Sequence, residues 1–258
     1  MEKLTLVKVG GKIVEDEGTL DSLLVDFSHI EGAKILVHGG GRLATKLAEQ
    51  LGVESRMVDG RRITDAETLR IVTMVYAGLV NKNIVSHLQA LGINAIGLTG
   101  ADMNVIRASK RPVVDIDYGF AGDVEEVNSD ALDLLLSNGI VPVLSPLTHD
   151  RHGSLLNTNA DTIAAETAKA LASRYKITLI YCFEKPGVLL DETDDNSVIP
   201  NLDREKYEKY KREGVITGGM IPKIDNALAA IEAGVKRVII TRASTITDGK
   251  GTVISETH

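Results

Sequence analysis

Short apolar runs alternate along most of the chain with longer stretches that carry one apolar face. The runs are LTLVKV (4–9), AKILVHGGG (33–41), NAIGLTG (94–100), GIVPVLSP (139–146), KITLIYC (176–182) and KRVIIT (236–241). Their length and near-continuous apolar character predict strands buried on both faces. Helical spacing fills the gaps. One helix is expected near 19–30, and another where Leu43, Leu47 and Leu51 fall four apart with Ala44 and Ala48 beside them. LDREKYEKYKREG (202–214) reads as a charged surface helix ended by Gly214. Ile224, Leu228 and Ile231 mark one face of a last helix, closed by Gly234. Strand and helix in alternation is the order of a parallel sheet covered on both sides, so the expected class is α/β.

Two regions break the alternation. Residues 104–128 form short, polar-punctuated segments, which predict β-hairpins standing off the main sheet and covering a site. The acidic DETDDNSVIPNLD (191–203) reads as an exposed loop rather than a metal site. A lobe boundary is expected near 172–176, where a helix gives way to a strand.

Composition narrows the function classes. The 258 residues suffice for one large α/β domain or two lobes, and 43% hydrophobic with 25% charged residues is ordinary globular usage. A net charge of −7 disfavours a general nucleic-acid or anionic-membrane surface, so neither partner is expected. Cys182 is the single cysteine, which excludes an internal disulfide and suits a reducing cytoplasm. No run approaches the roughly 20 apolar residues of a membrane helix, and Glu2 and Lys8 interrupt any signal-peptide pattern.

Candidate chemistry gathers at glycine turns. KVGGK and VHGGGR follow the first two strands, where doubly wound sheets bind ligands. Without Cβ atoms, glycines let backbone N–H groups close on phosphate or carboxylate oxygens. Lys8 stands between an apolar strand and Gly10–Gly11, a position better suited to an anion than to snorkelling. Lys12 reads as a solvated lysine, and His38 as a packed, hydrogen-bonded histidine rather than a base. In DGRRIT (59–64), Arg62 precedes a helix with a Thr64-x-x-Glu67 capping box and is placed to grip a carboxylate. LLNTNAD brings Asn157, Asn159 and Asp161 to a loop-to-helix junction, where one cap leaves the others for different work. In GVITGGMIPKIDNAL (214–228), Lys223 sits in a helix first turn against the macrodipole, which an anion there would explain. Two lysines, an arginine, an aspartate and three glycine turns suit phosphoryl transfer, which works by positioning and charge neutralisation.

The chain resembles the amino acid kinase family over essentially its whole length. Six motifs carry the resemblance in order: KVGGK, VHGGGR, DGRRIT, YGFAGDVEEVN (118–128), LLNTNAD and GVITGGMIPK. It implies an open αβα sandwich of two lobes around a mainly parallel sheet of about eight strands, in a homodimer. Residues 1–172 would bind an acylated amino acid and make the dimer contact, and 173–258 would hold ATP with Mg2+. Lys8 would stabilise the phosphoryl group in flight, Lys223 the nucleotide side, and Asp161 would orient both. Gly11, Gly40 and Gly41 would present N–H groups to phosphoryl and substrate oxygens, while Arg62 and Asn157 would hold the substrate's carboxylate and polar groups. ATP contacts would come from Glu184, Lys185, Pro186, Gly187, Val188 and Leu189, with Val215, Ile216 and Thr217. EKPGVL (184–189) departs from the family's commoner Asp-Val-x-Gly, with Glu184 for the aspartate and Lys185–Pro186 following.

The implied reaction is phosphorylation of the γ-carboxylate of an N-acylated glutamate, acetylated in the first instance, in arginine biosynthesis. That carboxylate is ionised at pH 7, so no general base is needed. The alternatives are another acyl group such as succinyl, toward which Lys110–Arg111 would be placed, and a non-catalytic nucleotide or amino-acid sensor. The chain begins at the first strand without the N-terminal helix of arginine-inhibited relatives, so arginine inhibition is not expected.

Overall fold

A computed structural model describes residues 1–58 and 60–255. Asp59, which opens DGRRIT, and residues 256–258, the end of the expected second lobe, lie outside the described residues. The first strands are β1 (Glu2–Val9), β2 (Ala33–His38), β3 (Met57–Val58), β4 (Arg61–Arg62), β5 (Ala95–Leu98), β6 (Ile106–Lys110) and β7 (Gly122–Val127). They are followed by β8 (Val141–Leu144), β9 (Leu147–His149), β10 (Leu155–Asn157), β11 (Tyr175–Phe183), β12 (Asn201–Leu202), β13 (Arg237–Arg242) and β14 (Thr252–Ile254). Eight of these make one sheet in the order β12-β14-β13-β11-β1-β2-β8-β5. It is parallel except where β13 meets β14.

Helices cover both faces. On one lie α1 (Gly11–Glu15), α2 (Glu17–Ser28), α3 (Gly41–Gln50), α4 (Ala66–Thr73) and α5 (Asn81–Ala90); a π-helical segment, Met74–Val80, joins the last two. On the other lie α6 (Ser129–Ser137), α7 (Ala160–Leu171), α8 (Arg204–Arg212) and α9 (Met220–Glu232). Strand alternation divides the core: Leu4 and Leu6 pack toward α7 and α9, while Val7 and Val9 pack toward α1 and α2. The result is the expected αβα sandwich.

Four expectations change. The face of α3 that meets the sheet is Ala44 and Ala48, both 1% exposed, while Leu51 is 57% exposed. Small side chains let the helix approach closely, and the leucines flank the contact. The cap of α4 is Asp65, whose carboxylate accepts from the Thr68 N–H at 2.8 Å; Thr64 is buried instead. Residues 104–128 give one hairpin, β6–β7, which joins a second hairpin, β9–β10, in a four-stranded sheet. The acidic segment 191–203 is a loop only to its last residues, because Asn201–Leu202 supplies the edge strand β12.

Candidate active site

Lys8 is the penultimate residue of β1 and only 6% exposed. Its in-register neighbour is Tyr181 on β11, so its side chain points to the face covered by α7 and α9. There Asp161, in the first turn of α7, meets it: Lys8 Nζ stands 2.6 Å from Oδ1. That approach is an ion pair off the line a hydrogen bond prefers, so charge rather than alignment holds it. Lys223 Nζ donates to Oδ2 of the same carboxylate at 2.9 Å. Two residues 215 positions apart thus share one aspartate, itself 6% exposed. Burial works to raise the Asp161 pKa, but the Lys8 and Lys223 charges outweigh it and hold the carboxyl below the ordinary value. The anion expected at the start of α9 is therefore, in the first place, a group of the chain's own.

Asp161 is available because Asn159 caps α7, its Oδ1 accepting from the Asp161 N–H at 2.7 Å. One asparagine caps and the aspartate is left for other work, as the spacing suggested.

The two glycine turns face each other beyond β1 and β2. The Gly10 N–H donates to Cys182 O, and the Gly39 N–H to Val9 O, which lock the turns to the sheet. A Cβ on Gly11 would lie 3.9 Å from the amide nitrogens of both Gly40 and Gly41. A Cβ on Gly40 would come within 2.9 Å of the Tyr76 ring. The cradle depends on backbone that carries no side chains. Under it His38 is fully buried, and Asn81 Nδ2 reaches both its Nε2 (3.1 Å) and Val143 O (3.0 Å). Lys82 Nζ donates to Asn81 Oδ1, so the amide is oriented, Nε2 accepts, and Nδ1–H donates to Gly39 O at 2.7 Å. Burial pushes the His38 pKa down to about 4, the Gly39 carbonyl opposing and the Lys82 charge adding to it. His38 is structural, a neutral brace beneath the turn.

Lys8, Gly40, Gly41, Arg62, Asn157 and Asp161 line one cavity of about 220 Å³. Lys223 and Asp161 line a second that adjoins it. Arg62 is more engaged than expected: it donates to Ser55 Oγ, Gly41 O and Thr45 Oγ1, each at 2.8 Å. Three of its five donor hydrogens therefore meet protein oxygens. Asn157 Nδ2 donates to Thr64 Oγ1 at 2.9 Å. Arg111 pairs with Asp123 and lies by the Tyr118 ring, so its charge is already answered.

Lys185, Gly187, Val188, Leu189, Val215, Ile216 and Thr217 converge on a recess of about 230 Å³. Glu184 and Pro186 are not on its wall. Glu184 turns away to pair with the half-exposed Lys12 at 3.3 Å. Sequence reasoning missed three residues at the site: Tyr76 and Phe183 look like ordinary apolar positions, and the signal at Thr64 was that of a cap.

Two cations on one buried aspartate, which lines a cavity with the glycine cradle on an αβα sandwich, are an arrangement suited to phosphoryl transfer. The family model described as the amino acid kinase family matches residues 3–242, and the chain belongs to that family. The acetylglutamate kinase of Parabacteroides distasonis is 69% identical over 252 residues, 98% of this chain and 99% of that one. Among solved structures, smu.665 of Streptococcus mutans UA159 is 28% identical with a TM-score of 0.80, covering 98% of each chain. Carbamate kinase from Giardia lamblia bound to AMP-PNP shares the fold, with a TM-score of 0.70 at 15% identity over 99% of both chains.

Proposed function

We propose that this kinase transfers the γ-phosphoryl group of ATP to the γ-carboxylate of N-acetyl-L-glutamate. The product is N-acetyl-L-glutamyl 5-phosphate, a step of arginine biosynthesis. The observation that carries the reading is the Lys8–Asp161–Lys223 bridge, in a chain 69% identical to an acetylglutamate kinase.

In this mechanism the acyl amino acid lies in the cavity of Arg62 and Asn157, its γ-carboxylate directed at the cradle. Gly11, Gly40 and Gly41 offer amide hydrogens to the oxygens of the moving group. Lys8 neutralises charge on the acceptor side and Lys223 on the leaving-group side, and Asp161 keeps both in place. The acceptor is ionised at neutral pH and needs no base. The nucleotide lies along the recess of Lys185, Gly187–Leu189 and Val215–Thr217. Both Asp161 oxygens face lysines, and among the described residues no group of three His, Cys, Asp or Glu side chains can hold a metal. Mg2+ would come with ATP, held by the nucleotide phosphates and water, the usual preference of this ion.

The same reading gives residues 1–172 to the acyl amino acid and the contact of a homodimer, and 173–258 to ATP. It places the enzyme in the cytoplasm, a location supported by the single buried Cys182. Among the described residues no helix is long and apolar enough to cross a membrane.

Hydroxylamine trapping tests the assignment across N-acetylglutamate, N-succinylglutamate, glutamate and aspartate with MgATP. N-acetylglutamate is expected to give the most hydroxamate. Preference for the succinyl compound would change the acyl group, and no hydroxamate from any of the four would overturn the kinase reading.

A further inference from the structure

We propose that the Phe183 ring is a positioning platform that holds the ammonium groups of Lys8 and Lys223 at their shared carboxylate by cation–π attraction. The proposal rests on the reading of these lysines as the phosphoryl-handling pair. Lys8 pairs in register with Tyr181, and Phe183 follows two residues later on the same strand, so all three side chains leave one face of the sheet. The Phe183 ring centroid is 5.2 Å from Lys8 Nζ and 4.5 Å from Lys223 Nζ. Both distances lie within the range of a cation–π contact.

The ring is itself braced. Tyr181 lies along it with centroids 6.2 Å apart and planes 8° from parallel. The Tyr181 hydroxyl donates to the Asp161 carbonyl at 3.2 Å, so ring, carboxylate and lysines form one assembly.

Charge explains the need for it. Two ammonium groups on one carboxylate leave an excess positive charge in a buried place, and they repel each other. Asp161 cannot answer both fully. The negative face of an aromatic ring offsets the excess without adding a second anion that would repel the incoming phosphates. Phe183, partly buried at the end of β11, packs against the core on the α7 and α9 side, which fixes its ring where the two lysines meet it. Pre-placed cations matter here because phosphoryl transfer depends on positioning more than on covalent chemistry.

Progressive fluorination of Phe183 by stop-codon suppression weakens the ring's quadrupole with little change of shape. From phenylalanine to the trifluoro analogue, kcat is expected to fall stepwise by a total of about five- to tenfold. KM for both substrates should change little. Phe183→Tyr should stay near the parent, and Phe183→Leu should match the trifluoro protein. A kcat that stays flat across the series in an active enzyme overturns the platform. A second readout needs no turnover. With ¹³C-labelled lysine, the ε-methylene signals of Lys8 and Lys223, assigned through Lys8→Arg and Lys223→Arg, should lie upfield under the ring current. They should return to ordinary positions in Phe183→Leu; signals that do not move overturn the platform whatever the activity. A parent enzyme that makes no acyl phosphate would overturn the functional reading instead, and the spectra would still decide on the ring.

Discussion

At the Arg62 end of the site, Thr64 links Arg62 to Asn157, which lies 93 residues beyond Thr64 in the chain. At the far end, the recess is walled mainly by apolar side chains from two stretches, 187–189 and 215–220. Thr64 shows how the first is built. Its hydroxyl donates to Arg62 O at 3.2 Å and accepts from Asn157 Nδ2 at 2.9 Å. Its backbone carbonyl accepts from the Phe120 N–H at 2.6 Å, and its own N–H donates to Tyr118 O at 3.0 Å. Gly119 has to be glycine there, since a Cβ would stand 2.2 Å from Thr64 O at a φ of +66°. The recess is tied to β14 through Thr252: its hydroxyl accepts from the Val188 N–H at 2.8 Å and donates to Ile199 O at 2.7 Å, and a Cβ on Gly187 would come within 2.8 Å of that oxygen. Both ends are ordered by directional bonds to a buried threonine, Thr64 at one and Thr252 at the other. What differs is the lining: charged and polar side chains at the first, mainly apolar ones at the second. On the proposed function, that lining suits a small polar acceptor at the first and the apolar face of a nucleotide base at the second.

The strongest test strikes between the two ends. Lys8→Ala and Lys223→Ala should each lower kcat by about two to three orders of magnitude, measured in a coupled ADP assay. Near-normal turnover of Lys8→Ala would remove the basis of the mechanism. Arg62→Ala should next raise KM for the acyl amino acid by about ten- to a hundredfold, the worth of a charge-assisted hydrogen bond. An effect on ATP alone would contradict its assignment. Gly187→Ala should do the reverse. Overpacking against Thr252 and Val198 should raise KM for ATP by about three- to tenfold and leave the acyl amino acid nearly unaffected. Equal changes in both constants would mean that the two ends are not separately built. Thr64→Val gives the smallest effect: the hydroxyl is lost at constant shape, and KM for the acyl amino acid should rise about fivefold. Thr64→Ser should restore it, and a Thr64→Val enzyme with unchanged KM would show that the cross-links do not tune the cavity.

Much of this frame was legible from apolar spacing. The six expected runs all supply strands of the main sheet, and the helices near 19–30, 202–214 and 221–234 lie where the pattern placed them. Burial of a strand on both faces writes itself into every residue of the run. The pattern was less informative where contact rather than polarity decides. On α3 it marked leucines, yet the sheet is met by alanines. At Thr64 a local capping rule matched, but tertiary hydrogen bonds took the residue and Asp65 became the cap. The hairpin β9–β10 is too short, at three residues a strand, to stand out from a turn-rich stretch.

By itself the sequence determined the αβα layering and singled out Lys8, Asp161 and Lys223, which the fold brings together. Apolar periodicity and motif order are properties of neighbouring residues, and they survive in a one-dimensional chain. Only the tertiary structure gave each lysine its own oxygen of the Asp161 carboxylate, braced Arg62 with three protein oxygens, and turned Glu184 toward Lys12 and off the recess wall. It alone set the Phe183 ring beside both ammonium groups. Direction and distance between side chains arise when separate elements pack, and no spacing along the chain encodes them.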